Sequence, residues 1–256
     1  MYDILVIGTT FYGLGVAQQN AKNTLVIDRG TKLGYEFINT FNPGDGCEKE
    51  KGLSAVAAMF LKKMKNKRIF HENGLYHLPA LEPMLCAWAD HFGITPYFMT
   101  DIVSITPKGD GFAVVLNTVS GLKTVMAAKI LDTTGNNLKI KSKAINSLLM
   151  IPKNFSISLE PWINGCRFIY GALSRQVALS LTISPDDDWV AARRKLHVFW
   201  DSRPKKYAPV TLAMVADFFD IETFFPKKSN GNYIQIASKS FGNPLAALDA
   251  GIKWSF

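Results

Sequence analysis

Residues 1–30 read MYDILVIGTTFYGLGVAQQNAKNTLVIDRG, and the fold turns on this stretch. Ile4–Ile7 is a continuous apolar run of strand type, and Thr24–Asp28 (TLVID) is a second. Between them Phe11–Asn20 supplies a short predicted helix carrying small residues, Gly13, Gly15 and Ala17, against which a sheet can pack closely. That order is a β-α-β unit, and unbroken apolar strands point to a parallel sheet covered on both faces. The link between first strand and helix places Gly8 and Gly13 at the outer positions of a G-x-G-x-x-G turn, with Thr10 where the middle glycine belongs.

In such a turn each glycine has its own task. The first permits the tight strand-to-helix reversal, the second lets backbone approach a pyrophosphate, and the third allows helix and strand to pack closely. The helix N-terminus then offers free N–H groups to the phosphates. Gly8 and Gly13 keep the first and third tasks. Thr10 adds a side chain where backbone should approach, although its hydroxyl is itself a donor. Asp28 lies twenty residues after Gly8, where a carboxylate accepts from ribose hydroxyls. On these residues alone the stretch is either a nucleotide-binding turn with an altered fingerprint or a plain β-α-β packing unit.

At 256 residues and 48% hydrophobic, the chain can bury a core as one large domain or as a domain with an insert. Aromatics at 12% and scattered Pro and Gly argue against disorder. No apolar run reaches the length of a membrane span, and Asp3 stands where a signal peptide carries basic residues, so a soluble, cytoplasmic protein is expected. Cys47, Cys86 and Cys166 form neither a CxxC pair nor a zinc pattern, which suits a reducing compartment. His71 and His77 read as polar loop residues, and no metal site is expected. The net charge of +8 gathers in KKMKNKR (62–68), ARRK (192–195) and RPKK (203–206). Solvated helix ends explain these runs better than a nucleic-acid surface.

Further along, LGYEFINTFNPGDGC (33–47) reads as a loop, and LSAVAAMFLKKM (53–64) has helical spacing at Leu53, Val56, Ala57, Phe60, Leu61 and Met64. Ala80–Phe92 is a further predicted helix, stopped by Gly93. Strand-like stretches follow at ITPYFMTDIVSITP (94–107), FAVVLNT (112–118) and KTVMAAKILDTTG (123–135), and GDG (109–111) suggests a β-meander. From about Lys141, FSISLEPWI (155–163), CRFIYGAL (166–173) and ALSLTIS (178–184) alternate as strands. SPDDDWVAARRKLHVFW (184–200) predicts a helix capped by Ser184, and PVTLAMVADFF (209–219) predicts another. NYIQIAS (232–238) returns to strand, and in the tail Asn243 caps a helix with Pro244 at its first position.

Three segments carry a resemblance to the FAD-dependent oxidoreductases. AAKILDTTGNN (127–137) resembles their motif strand, which ends in a D-A-T-G-like sequence. GLYHLPALEPMLCAWADHFGI (74–94) followed by DIVSITPKGDGF (101–112) is similar to the helix, adenine-contacting loop and meander of that family. IQIASKSFGNPLAALDAG (234–251) is similar to its last strand and helix, whose N-terminus points at the flavin. The resemblance covers about residues 1–140 and 232–256. It implies an α/β fold: a Rossmann-type FAD-binding domain built from both chain ends, with a β-meander and an inserted α+β substrate or cap region at 141–231.

By the same resemblance the cofactor is FAD. Gly8, Thr10, Phe11, Tyr12 and Gly13 would face its pyrophosphate, Asp28 its adenosine ribose and Arg29 its adenine. Thr133, Thr134 and Gly135 would pass close to the pyrophosphate, and Gly242, Asn243 and Pro244 would line the flavin end. The chain departs from the pattern at Thr10, at Asp28 (glutamate is more usual), and in SKSFGNP (238–244), which lacks the ribitol-contacting aspartate. The implied activity is hydride exchange at flavin N5 with a small-molecule substrate. The helix at Asn243 would stabilise negative charge on the N1–O2 edge of the ring. Tyr170 and Arg175 are the candidates for substrate contact. Asn42 stands five positions before Cys47, which excludes the dithiol chemistry of the disulfide-reductase branch; a lone Cys47 reads more readily as an inert thiol than as a catalytic one. Two other readings stand beside this one, a non-catalytic flavin-fold module with weakened cofactor affinity and an NAD enzyme with a single nucleotide site.

Overall fold

The computed structural model describes residues 1–46, 52–71, 74–155, 158–171, 175 and 177–255. β1 (Tyr2–Ile7) passes through Gly8 into α1 (Phe11–Gln19), and β2 (Thr24–Ile27) lies parallel to β1 with Leu5 opposite Leu25. A short α2 (Tyr35–Ile38) precedes α3 (Ala55–Asn66) and α4 (Leu78–His91). Ser54 caps α3 by accepting from Ala57 N–H. The meander follows as β3 (Asp101–Lys108), β4 (Gly111–Thr118) and β5 (Gly121–Asp132).

β5 joins two kinds of pairing. Its first half is antiparallel to β4 as far as Ala127 opposite Phe112; its second half is parallel to β1, ending with Asp132 opposite Ile7. The chain then leaves this sheet for a second, antiparallel one. That sheet contains β6 (Ile140–Met150), β7 (Cys166–Tyr170), β8 (Val177–Ile183), β9 (Thr211–Val215) and β10 (Asp220–Thr223), with β6 pairing β8, β9 and β10. α5 (Trp189–Asp201) covers it and buries Leu196, Phe199 and Trp200 against Ile145 and Leu179. Finally β11 (Lys227–Asn230) and β12 (Tyr233–Ile236) return to the first sheet, β12 parallel to β5, and α6 (Pro244–Ile252) closes the chain. The first sheet therefore runs β11-β12-β5-β1-β2.

Burial follows the alternation expected of a parallel sheet covered twice. Ile4 and Val6 face the helical layer with Phe11, Leu14, Phe60, Leu85 and Leu248. Leu5, Leu25 and Ile27 face the meander with Val114, Leu116 and Ile130. The helical layer is held tightly because α1 and α6 meet through glycines. A Cβ on Gly15 would lie 2.4 Å from Leu248 O, and one on Gly251 would lie 2.2 Å from Tyr12 O. Among the described residues no helix is long and apolar enough to cross a membrane.

Three expectations for the insert are corrected. The predicted helix at 209–219 is a strand over Thr211–Val215, because β6 offers it an open edge and pairs it from Ser147 to Met150. Residues 158–163 of the expected strand FSISLEPWI are irregular, while Ser156 and Ile157 lie outside the described residues. Glu160 N–H is taken by the Tyr207 hydroxyl at 2.9 Å, and Pro161 has no N–H to give a ladder. The cap of α5 is Asp188, which accepts from Ala191 N–H, and not Ser184; Ser184 instead forms a turn with Asp187.

Candidate functional site

The carboxyl ends of β1, β2 and β5 converge, and their loops are fixed by short polar side chains. Gly8 has φ +101°, a conformation open to glycine, and its N–H donates to Ile27 O at 2.9 Å. The buried Asp28 carboxylate accepts from Thr9 N–H at 2.8 Å, Thr9 Oγ1 at 2.9 Å and Gly30 N–H at 2.7 Å. Asp132 accepts from Thr134 N–H and Oγ1 through Oδ1 and from Asn137 through Oδ2. Thr10 Oγ1 donates to Thr133 Oγ1 at 2.7 Å, and Thr133 Oγ1 donates to Ile7 O at 2.9 Å.

Above these loops lies a cavity of about 460 Å³. Its floor includes Gly8, Asp28, Arg29, Asp132 and Thr134, and its roof is Trp189 at the start of α5, Phe218 and Phe219 between β9 and β10, and Ile221 of β10. The roof is stiffened by stacking: Tyr35 lies on Phe218 at 4.5 Å between centroids, and Trp189 on Phe219 at 3.8 Å. A crevice at the carboxyl ends of parallel strands, beside a strand-order switch, is where open α/β sheets bind ligands.

No protein-family model matches the sequence, and no curated protein does. Solved structures match the fold. An anhydrotetracycline hydroxylase, OxyS from Streptomyces rimosus, superposes with a TM-score of 0.59 at 12% identity, over 98% of this chain and 61% of that one. BexE, studied for oxidation during BE-7585A biosynthesis, gives 0.57 at 15% identity, over 98% of this chain and 60% of that chain. The p-nitrophenol 4-monooxygenase PnpA from Pseudomonas putida DLL-E4 gives 0.56 at 12%, over 98% and 76%. This is the fold of the FAD-dependent oxidoreductases. The chain spans about three fifths of the BexE and OxyS chains.

The FAD-oxidoreductase fold distributes the sequence-expected site residues unevenly. Gly8, Asp28, Arg29 and Thr134 border the cavity, with Arg29 in a surface ion pair to Asp101 at 2.5 Å. Thr10, Phe11, Tyr12, Gly13 and Thr133 are packed beneath it: a Cβ on Gly13 would lie 2.7 Å from Gly8 O, which is the close helix–strand approach expected of a third glycine. Gly135, at φ +76°, packs on Ala237. Asn243 caps α6 by accepting from Ala246 N–H, Pro244 is its first helical residue, and Gly242 precedes it at φ +83°. Tyr170 and Arg175 lie away from the cavity: the Tyr170 hydroxyl donates to Leu159 O, and Arg175 is exposed. Cys47 lies outside the described residues. Among the described residues no group of three or more His, Cys, Asp or Glu could hold a metal ion.

The adenosine end of an FAD would have room here, since Gly8, Asp28 and Arg29 border the roofed cavity, with the Asp28 carboxylate already bonded to Thr9 and Gly30. The other two parts do not fit the structure as it stands. At α1 the free donors of the first turn are all taken: Phe11 N–H by Glu36 Oε1 at 2.8 Å, Tyr12 N–H by Ser238 Oγ at 3.2 Å, and Gly13 N–H by Thr10 Oγ1 at 3.0 Å. At α6, Asp45 N–H bonds Gly242 O at 2.8 Å, and a Cβ on Gly44 would sit 1.9 Å from that oxygen. The 42–45 loop is therefore seated on Gly242 and Asn243.

Glu36, Ser238, Lys239 and Asp220 are the residues that sequence reasoning missed. Glu36 is buried, and burial pushes its carboxyl up to about 7, against the hydrogen bonds from Ser238 and Phe11. Lys239 Nζ donates to Glu36 O at 3.0 Å and pairs with Asp220 at 3.4 Å. Asp220 also holds Asn42 at 2.6 Å, Asn146 at 3.3 Å and Arg167 at 3.5 Å. Burial alone would raise the Asp220 carboxyl, but these partners hold it below the usual carboxylate range. The available signal was one acid set among apolar neighbours in LGYEFI (33–38).

Proposed function

We propose that this chain is an FAD-dependent oxidoreductase acting on a small molecule, with the cavity between its two sheets as the nucleotide and substrate crevice. The observation that supports it most is the convergence of Gly8, Asp28 and the Asp132–Gly135 turn beneath an aromatic roof supplied by the insert. The reading requires that Glu36 and the 42–45 loop withdraw from the two helix ends when the dinucleotide enters. Lining by Tyr35, Trp189, Phe218 and Phe219 favours a flat, partly apolar substrate over a sugar or peptide.

A second reading is a non-catalytic flavin-fold module. The internal satisfaction of all three first-turn donors of α1 favours it. Visible spectroscopy separates the two. The enzyme reading expects purified protein, or protein incubated with FAD and desalted, to keep a flavin band that bleaches with a reductant and returns with an oxidant. Protein that retains no flavin after reconstitution at any pH from 6 to 8 leaves the module reading in place.

A further inference from the structure

The N-terminus of α1 is the position at which this fold meets phosphate, and it is held here by an anion of the chain itself. Glu36 Oε1 accepts from Phe11 N–H at 2.8 Å and from Ser238 Oγ at 2.7 Å. Glu36 is 8% exposed, and its second oxygen, Oε2, is buried without a hydrogen-bond partner among the described residues. One oxygen thus does what a phosphate oxygen would do at a helix N-terminus, while the other leaves a buried acceptor unsatisfied. Such an arrangement costs free energy that a packed, purely structural cap avoids.

The side chain also has somewhere to go. Glu36 borders the cavity, and so does Lys239, whose ammonium lies against the Glu36 carbonyl. We propose that Glu36 is a built-in stand-in for phosphate: it latches the first turn of α1, and a nucleotide's phosphates bind there only when it withdraws. This rests on the nucleotide-binding reading above and adds its regulation. Docked Glu36 and bound phosphate compete for the Phe11 N–H, so whatever destabilises the docked side chain relative to the withdrawn one favours the nucleotide.

Protonation is the available lever. The charged group acting on Glu36 is Lys239 from the 238–241 turn; Asp28 after β2 and Asp132 at the end of β5 line the same cavity and act on the neighbouring Tyr35, and Asp220 and Arg167 lie beyond Lys239. Tyr35 beside it is held neutral by burial. Lys239 favours the ionised carboxylate and burial opposes it more strongly, so Glu36 gains its proton near neutral pH. Because the docked carboxyl keeps its proton to a higher pH than a withdrawn, solvated one, loss of that proton favours withdrawal, and nucleotide affinity is expected to rise with pH.

The test is titration with FAD, followed by quenching of flavin fluorescence, at pH 6 and pH 8 for wild type and Glu36→Gln. The amide keeps the shape and a neutral acceptor but cannot ionise. Wild type is expected to bind about tenfold more tightly at pH 8 than at pH 6, the effect of one pH unit on either side of the titration midpoint. Glu36→Gln, uncharged throughout, is expected to bind equally at both pH values, close to wild type at pH 6 and more weakly than wild type at pH 8. A ligand-free readout accompanies it: the Phe11 amide proton shift should titrate near pH 7 in wild type and stay fixed in Glu36→Gln. Equal, pH-independent binding by both proteins overturns the latch and leaves the FAD reading intact. A folded Glu36→Gln that binds more weakly than wild type at pH 6 as well overturns the latch too, because Glu36 would then be holding the ligand, and so does wild-type binding that tightens as pH falls. No binding by either protein at either pH overturns both readings.

Discussion

Lys239 and Asp220 meet at 3.4 Å in the seam between the two sheets, with side chains only 15% and 3% exposed. The pair joins the turn after β12 to the first residue of β10, and Asn42 and Asn146 complete the shell of the carboxylate. Removing one member leaves a buried charge without compensation, a change that typically costs about 3–5 kcal/mol. Asp220→Ala is therefore expected to lower the urea midpoint sharply, and Asp220→Ala combined with Lys239→Met to recover part of the loss. A single variant no less stable than the double one would mean that the seam is not held by this pair.

Glu36 makes stability depend on pH in a defined direction. Its carboxyl is raised from 4.5 to about 7 in the folded chain, so between those values the folded state binds more protons than the unfolded state. The stabilising contribution is complete below about pH 4.5 and is lost as pH rises through about 7, by about 3 kcal/mol in all. Chemical denaturation from pH 5 to pH 8 should show this decline in wild type. The Glu36→Gln curve should be flatter over the same range, and parallel curves would remove Glu36 as the source.

Asp28 is expected to act on the turn before it acts on any ligand. It satisfies two backbone N–H groups and the Thr9 hydroxyl. Asp28→Ala orphans buried donors at about 1–3 kcal/mol each, and Asp28→Asn should retain part of the bonding. Thermal unfolding should rank wild type above Asp28→Asn and Asp28→Ala last. An unchanged melting temperature for Asp28→Ala would show that water replaces the carboxylate.

The glycine contact between α1 and α6 is expected to tolerate no side chain. A methyl on Gly15 would stand 2.4 Å from Leu248 O, so the helices must separate. Gly15→Ala adds helix propensity of about 1 kcal/mol, but overpacking of about 1–3 kcal/mol or more opposes it. A net loss of stability is expected in guanidinium titration, whereas Gly93→Ala, at an exposed turn with open space around it, should show only the strain of its φ of +68°.

Much of the first sheet was legible in the sequence. Ile4–Ile7, Thr24–Asp28 and the run into Asp132 are apolar on both faces, which only a doubly covered parallel strand explains. Asn243-Pro244 stated the start of α6 chemically. The insert was harder because its central strand, β6, places Lys143, Asn146 and Ser147 in buried positions. Their partners are distant: Lys143 reaches the carbonyls of Pro185 and Asp187, and Asn146 reaches that of Thr40. No local pattern announces such bonds. The sequence left Thr10 as either a side chain that crowds phosphate or a hydroxyl that donates to it; in the fold it is the side-chain cap of α1 and bonds Thr133, 123 residues away. Glu36 was invisible for the same reason, since its donors Phe11 and Ser238 come from opposite ends of the chain.

The glycine seam between α1 and α6 also sets a timetable for the chain's birth. Gly15 and Leu248 touch, and Leu14, Leu245 and Leu248 share one core. At ordinary synthesis rates of about 5–20 residues per second, α1 waits on the order of ten to fifty seconds before α6 exists. During that interval the first β-α-β unit has no cover over that face of α1, and Tyr12, Gly15 and Val16, which α6 comes to meet, are open to water or to a chaperone. The first sheet and its helical layer are thus completed only after the second sheet has been made, although β1 precedes both in the chain.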